Sequence, residues 1–131
     1  MFRATLTGMT TSLMILIAGP YASGTNGDPK LMQQNLDRLE KAAWPLFEAG
    51  HIPMIGEWVA LPVLHSAGAS GPGDPLAEQV MYPTAERLLQ RCDAVLRLPG
   101  ESRGADHDVA IARSRNLPVY FNLCDVPPVD P

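Results

Sequence analysis

Apolar residues along the chain fall into short aliphatic runs separated by stretches of helical spacing, and that alternation sets the expected architecture. Leu13 to Ala18 is a continuous aliphatic run closed by Gly19-Pro20, the pattern of a strand covered on both faces. Asp28-Pro29 then reads as an N-cap with proline at the first helical position. From there to about Ala49 the residues Leu31, Leu36, Leu39, Ala42 or Ala43, and Leu46 recur on one side, and Gly50 supplies the stop. His51 to Gly56 reads as a second strand, and Pro53 puts it at a sheet edge because proline has no N–H for an inner neighbour. Between Glu57 and Gly73 no period holds, so this segment is expected to be an irregular loop, either a functional lid or disordered, flexible in composition from Ala67 onward. Gly73-Asp74-Pro75 repeats Gly27-Asp28-Pro29 and starts another helix, which carries Leu76, Val80, Leu88 and Leu89 towards Cys92 and is broken or kinked at Pro83. Ala94 to Leu98 is a third buried strand. Val109 to Ala112 has the spacing of a helix facing a sheet, running to about Arg115. Asn116-Leu117-Pro118 then turns the chain into a fourth strand over Val119 to Leu123.

Strands alternating with helices predict an α/β fold: a three-layer, doubly wound, flavodoxin- or Rossmann-like parallel sheet of four to five strands with helices on both faces. Right-handed crossovers bring the loops after the first and third strands together at the carboxyl edge of the sheet, where ligands settle in such folds. One domain is expected over 14–124, preceded by a polar extension over 1–13 and followed by a proline-rich tail over 125–131. Met14 is an alternative start. Arg3, the run to Ala18 and the small residues Ala22-Ser23-Gly24 resemble a secretory leader, but the apolar core is short and interrupted, which favours a strand.

Composition narrows the partners. The chain has 131 residues, 46% of them hydrophobic and 18% charged, as in ordinary globular domains with one core. A net charge of -4 without a Lys/Arg cluster disfavours nucleic acid polymers and anionic membranes, both of which need a basic face. No run approaches the ~20 apolar residues of a membrane span. Cys92 and Cys124 fit neither a disulfide framework nor a zinc site. They read as reduced, nearly buried thiols of a cytoplasmic protein that uses no metal.

The chemistry concentrates in Leu98-Pro99-Gly100-Glu101-Ser102-Arg103-Gly104-Ala105-Asp106-His107-Asp108. A strand that runs through a tight loop into a helix presents free N–H groups to an anion. Ser102, Arg103, Gly104 and Ala105 are therefore candidate anion contacts, with Gly100 and Gly104 allowing close backbone approach. Asp106 and Asp108 add carboxylates there, Asp106 alternatively serving as an N-cap and Asp108 as a solvated first-turn acid. With a phosphate held at Ser102, Asp108 lies within reach of the adjoining sugar. A carboxylate beside an anomeric carbon can attack it or stabilise an oxocarbenium-like transition state, without metal or organic cofactor. Facing this loop are Gly19, Pro20, Tyr21 and the polar continuation to Asp28. Glu57 can accept from a base or orient a water, and Trp58 can stack on a planar ligand or cover the core. His107 is either a pH-responsive partner of the two aspartates or a solvated helix residue. Trp44 and Phe47 are core or subunit-interface candidates.

Four segments together resemble the nucleoside 2-deoxyribosyltransferase-like superfamily, closest to its small DUF4406 branch: Ile15 to Tyr21, Gly50 to Pro53, Arg91 to Leu96, and Ser102 to Ala112. The likeness spans roughly 14–124. It implies an N-glycosidase or a deoxyribosyl or ribosyl transferase acting on a nucleoside or nucleoside 5'-monophosphate. Asp108 stands where the catalytic members carry a glutamate nucleophile, and Ser102 where related nucleotide N-glycosidases bind the 5'-phosphate. Tyr21 and the loop to Asp28 match the segment that lines the sugar and base pocket. The resemblance also implies dimers or larger assemblies. Aspartate is one methylene shorter than glutamate, a displacement worth ~100-fold in rate if uncompensated. A nucleotide-binding or sensing module without turnover is the alternative, and an oligomer-forming structural protein with a vestigial pocket is a third.

Overall fold

The computed structural model describes residues 11–130. The first ten residues of the expected extension, with Arg3, and Pro131 of the tail lie outside that range. Strands β1 (Met14–Ala18), β2 (Ile52–Met54), β3 (Ala94–Arg97) and β4 (Val119–Tyr120) form a four-stranded, all-parallel sheet in the order β2-β1-β3-β4. Pro53 does sit on an edge strand. Around the sheet lie α1 (Pro29–Glu40), α2 (Ala43–Glu48), α3 (Gly56–Ser66), α4 (Ala77–Leu89) and α5 (Arg103–Ser114).

Alternation along the strands divides the core. Ile15 and Ile17 of β1 and Ala94 and Leu96 of β3 pack with Met32, Leu36 and Leu39 of α1 and Leu46 of α2. Leu16, Ala18 and Val95 point to the other face, against Leu89 of α4 and Ala105, Val109 and Ala112 of α5. Both faces of β1 and β3 are thus covered, which is why their sequences are continuously aliphatic.

Five expectations are corrected. The helix expected from Asp28 to Ala49 is two, α1 and α2, separated at Lys41-Ala42. The segment after Glu57 is helical as far as Ser66, with Trp58, Val59 and Val63 exposed and Ala60 and Leu64 buried. Apolar residues all round a helix leave no period to read. Pro83 lies inside α4 without ending it, and the fourth strand stops at Tyr120, followed by a 3-10 turn over Leu123–Asp125. Cys92 is buried as expected, but Cys124 is exposed.

The tail is strapped to the amino edge of the sheet. His51 is 2% exposed; its Nδ1 accepts the Leu13 N–H at 3.1 Å, so Nε2 carries the hydrogen and donates to the Pro127 carbonyl at 2.7 Å. The Val129 N–H adds a bond to the Ala49 carbonyl at 2.7 Å. Replacing His51 by phenylalanine leaves one buried donor and one acceptor unpaired, at roughly 1–3 kcal/mol each. A urea melt of that variant should show the loss, and a midpoint equal to wild type would contradict the strap.

Candidate active site

Strand order reverses between β1 and β3: from β1 the chain crosses outward to β2 and then back to β3. The crevice beyond the carboxyl ends of these two strands is where open α/β sheets take ligands. A cavity of about 740 Å³ lies there, within the range of small-molecule sites. Its walls come from the loop after β1, the first turns of α3 and α5, the 72–75 loop, and one side of α4.

The two strand-end loops are held in contact. Gly100 adopts φ +117°, and a Cβ there would approach Pro20 Cγ to 2.7 Å. Pro20, expected to touch ligand, instead buttresses the neighbouring loop and does not line the cavity. A Gly100→Ala chain must strain its backbone or separate the loops, a loss of roughly 2–4 kcal/mol. Thermal unfolding should report it as a clear drop in Tm.

The loop after β1 is ordered by its own polar groups. Buried Thr25 donates through Oγ1 to the Ala22 carbonyl at 2.6 Å, and Asn35 of α1 donates to the Tyr21 carbonyl at 2.7 Å. These bonds set Gly19 and Tyr21 in the cavity wall. Burial first, and the charge of Glu57 second, raise the Tyr21 hydroxyl above its ordinary pKa. Asp28 caps α1, accepting the Lys30 N–H at 2.9 Å, and stands outside the wall.

Ser102, 5% exposed, is the N-cap of α5 and accepts the Ala105 N–H at 3.1 Å. The Arg103 and Gly104 N–H groups have no acceptor among the described residues. Ser102, Arg103, Gly104 and Ala105 all line the cavity, as an anion-holding turn requires. A Cβ at Gly104 would meet nothing within 4 Å, so the backbone there is open to approach.

Asp108, one turn farther along α5, lines the same cavity, and Glu57 enters it from the first turn of α3. Burial, then repulsion from Glu57, push the Asp108 carboxyl up to about 7, against smaller opposing effects of His107 and Arg97. Burial also raises Glu57, while a hydrogen bond from its own backbone N–H pulls the other way. Two carboxyls in one desolvated space ionise one after the other.

Asp106 and Trp58 do not join them. The Asp106 carboxylate is 2.8 Å from the Arg97 guanidinium and its side chain is 72% exposed, so it is neither the N-cap nor part of the cavity wall. Trp58 donates its indole N–H to Glu40 at 2.6 Å. His107 pairs with Glu86 of α4 at 3.0 Å and stands edge-on to Tyr82. Tyr82 and Met81 line the cavity and were not singled out in the sequence, because which side of α4 meets the crevice is set by tertiary packing. Asp74, read only as a helix start, also lines it and accepts from Ser70 and Leu76 backbone N–H groups, which hold its pKa below the ordinary value.

Among the described residues no group of three or more His, Cys, Asp or Glu is placed to hold a metal ion, and no helix is long and apolar enough to cross a membrane. The chain was compared with models of known protein families and with curated proteins, and it matches none of them.

Proposed function

We propose that the protein cleaves the N-glycosidic bond of a nucleoside or nucleoside 5'-monophosphate, transferring the sugar to water or to another base. The observation that carries this reading is one cavity lined by two carboxyls, Glu57 and Asp108, and by the anion-holding turn at Ser102. Glycosidic cleavage needs one carboxylate at the anomeric carbon and one acid for the leaving group. A phosphate at the Arg103 and Gly104 N–H groups places the sugar one helical turn away, beside Asp108. The four family-like segments support the same reading. A homo-oligomer belongs to it: Trp44 and Phe47 stack at 5.8 Å on α2 while 63% and 62% exposed, as residues of a subunit contact would be.

Incubation with a panel of nucleosides and their 5'-monophosphates, followed by chromatography of free base, tests the proposal. Monophosphates should be cleaved in preference to nucleosides, and Asp108→Ala should remove the activity. Unchanged release by that variant would sink the proposal. Stabilisation against heat by a nucleotide that is never cleaved would instead identify a sensing module of the same fold.

A further inference from the structure

Resting on that reading of the cavity, we infer that Glu57 is the ionised carboxylate that acts at the anomeric carbon and that Asp108 is the acid that protonates the departing base. This reverses the assignment that family resemblance suggests.

The placement of the two side chains distinguishes them. Glu57 is the second residue of α3, whose N-cap, Ile55, offers no side-chain acceptor. Its carboxylate therefore serves the open end of that helix, bonding its own backbone N–H, where the helix dipole stabilises negative charge. Asp108 is the sixth residue of α5, a helix already capped by Ser102, and lies past the first turn to which that stabilisation is confined. The charges felt at Asp108 come from every side. Glu57 on α3 and Glu86 on α4 oppose its ionisation, whereas His107 beside it and Arg97 at the end of β3 favour it. Arg97 is engaged by Asp106 at 2.8 Å, and His107 by Glu86 at 3.0 Å, so each already has another carboxylate as its partner. The charge of Glu57, held at the open end of α3, opposes ionisation of Asp108.

The step closes on these two groups. A Glu57 carboxylate oxygen bonds to C1' as the C1'–N bond breaks, the electron pair leaves with the base, and the base nitrogen takes the Asp108 proton. Water then cleaves the glycosyl ester on Glu57, its proton passing to the Asp108 carboxylate and its hydroxyl to C1'.

Leaving-group and rescue experiments on the full chain test the assignment. The probes are the cleaved 5'-monophosphate and the 4-nitrophenyl furanoside 5-phosphate of the same sugar, whose phenolate departs without a proton. Asp108→Asn should lose about 100-fold or more on the nucleotide yet stay within about tenfold of wild type on the nitrophenyl compound. Glu57→Gln should lose that much on both, and Glu57→Ala with azide should form the glycosyl azide. The opposite pattern, in which only Glu57→Gln keeps nitrophenyl cleavage and Asp108→Ala is rescued by azide, overturns the inference and leaves the glycosidase reading standing. So does a Glu57→Gln variant that cleaves the nucleotide at the wild-type rate. A wild-type protein that releases neither base nor nitrophenolate overturns both.

Discussion

At pH 8 the Asp108→Asn variant is expected to be more stable than the wild type by about 3 kcal/mol, and at pH 5 by only about 1 kcal/mol. The Asp108 carboxyl ionises at about 7 in the folded chain and near 3.9 in an unfolded one. Between those values the folded state holds a proton that the unfolded state has lost. Stability therefore falls as pH rises through that window, and the whole penalty is present above about pH 7. Converted at ~1.4 kcal/mol per tenfold change, the difference is about 4 kcal/mol, and partial access to water lowers it to the figure above. Asparagine has nearly the same shape and nothing to ionise, so it escapes the penalty, and it also removes the repulsion that Asp108 and Glu57 exert on each other. Chemical denaturation of both proteins at the two pH values isolates the effect, since every other group is common to them. A variant less stable than wild type at pH 8 would mean that Asp108 is held ionised by partners, and the desolvated site would have to be abandoned. A gain on deleting a functional acid is what active sites that hold mismatched charges predict.

The second large effect is on rate. Glu57→Gln and Asp108→Asn should each lower release of base from a nucleotide by roughly 10²–10⁴-fold, the usual worth of a positioned acid or base. The wild-type kcat/KM should follow a bell. Its alkaline limb reports the loss of the Asp108 proton, falling as pH passes about 7, and its acid limb reports protonation of Glu57, which burial places above the ordinary carboxylate range. Because the two carboxyls titrate as a pair, an attacking Asp108 with Glu57 as the acid would give a bell of the same shape, so the leaving-group and rescue experiments separate the two assignments. Asp108→Asn should abolish the alkaline limb for whatever activity it retains.

Much of this molecule follows from local chemistry. The aliphatic runs at Ile15 to Ala18 and Ala94 to Leu96 could only be strands buried on both faces, and Pro53 marked the sheet edge. Asp28 capped the helix it was expected to begin. The meeting of the Tyr21 and Ser102 loops followed from parallel topology alone. Two helical features were not legible. Helix α3 has apolar residues on every side, from exposed Trp58 to buried Leu64, and so shows no period. The separation of α1 from α2 occurs at Lys41-Ala42, where both residues keep helical backbone angles and no glycine or proline announces the break.

The sequence by itself determined the architecture, because burial on two faces, proline geometry and helix capping depend on residues within a turn or two of one another. Tertiary structure alone decided which acids matter. Asp106 and Asp108 are two residues apart, yet one is turned to Arg97 and solvent and the other lies in the cavity with Glu57, fifty-one positions earlier in the chain. Desolvation and charge repulsion act through space, and only folding brings those carboxyls within range of each other.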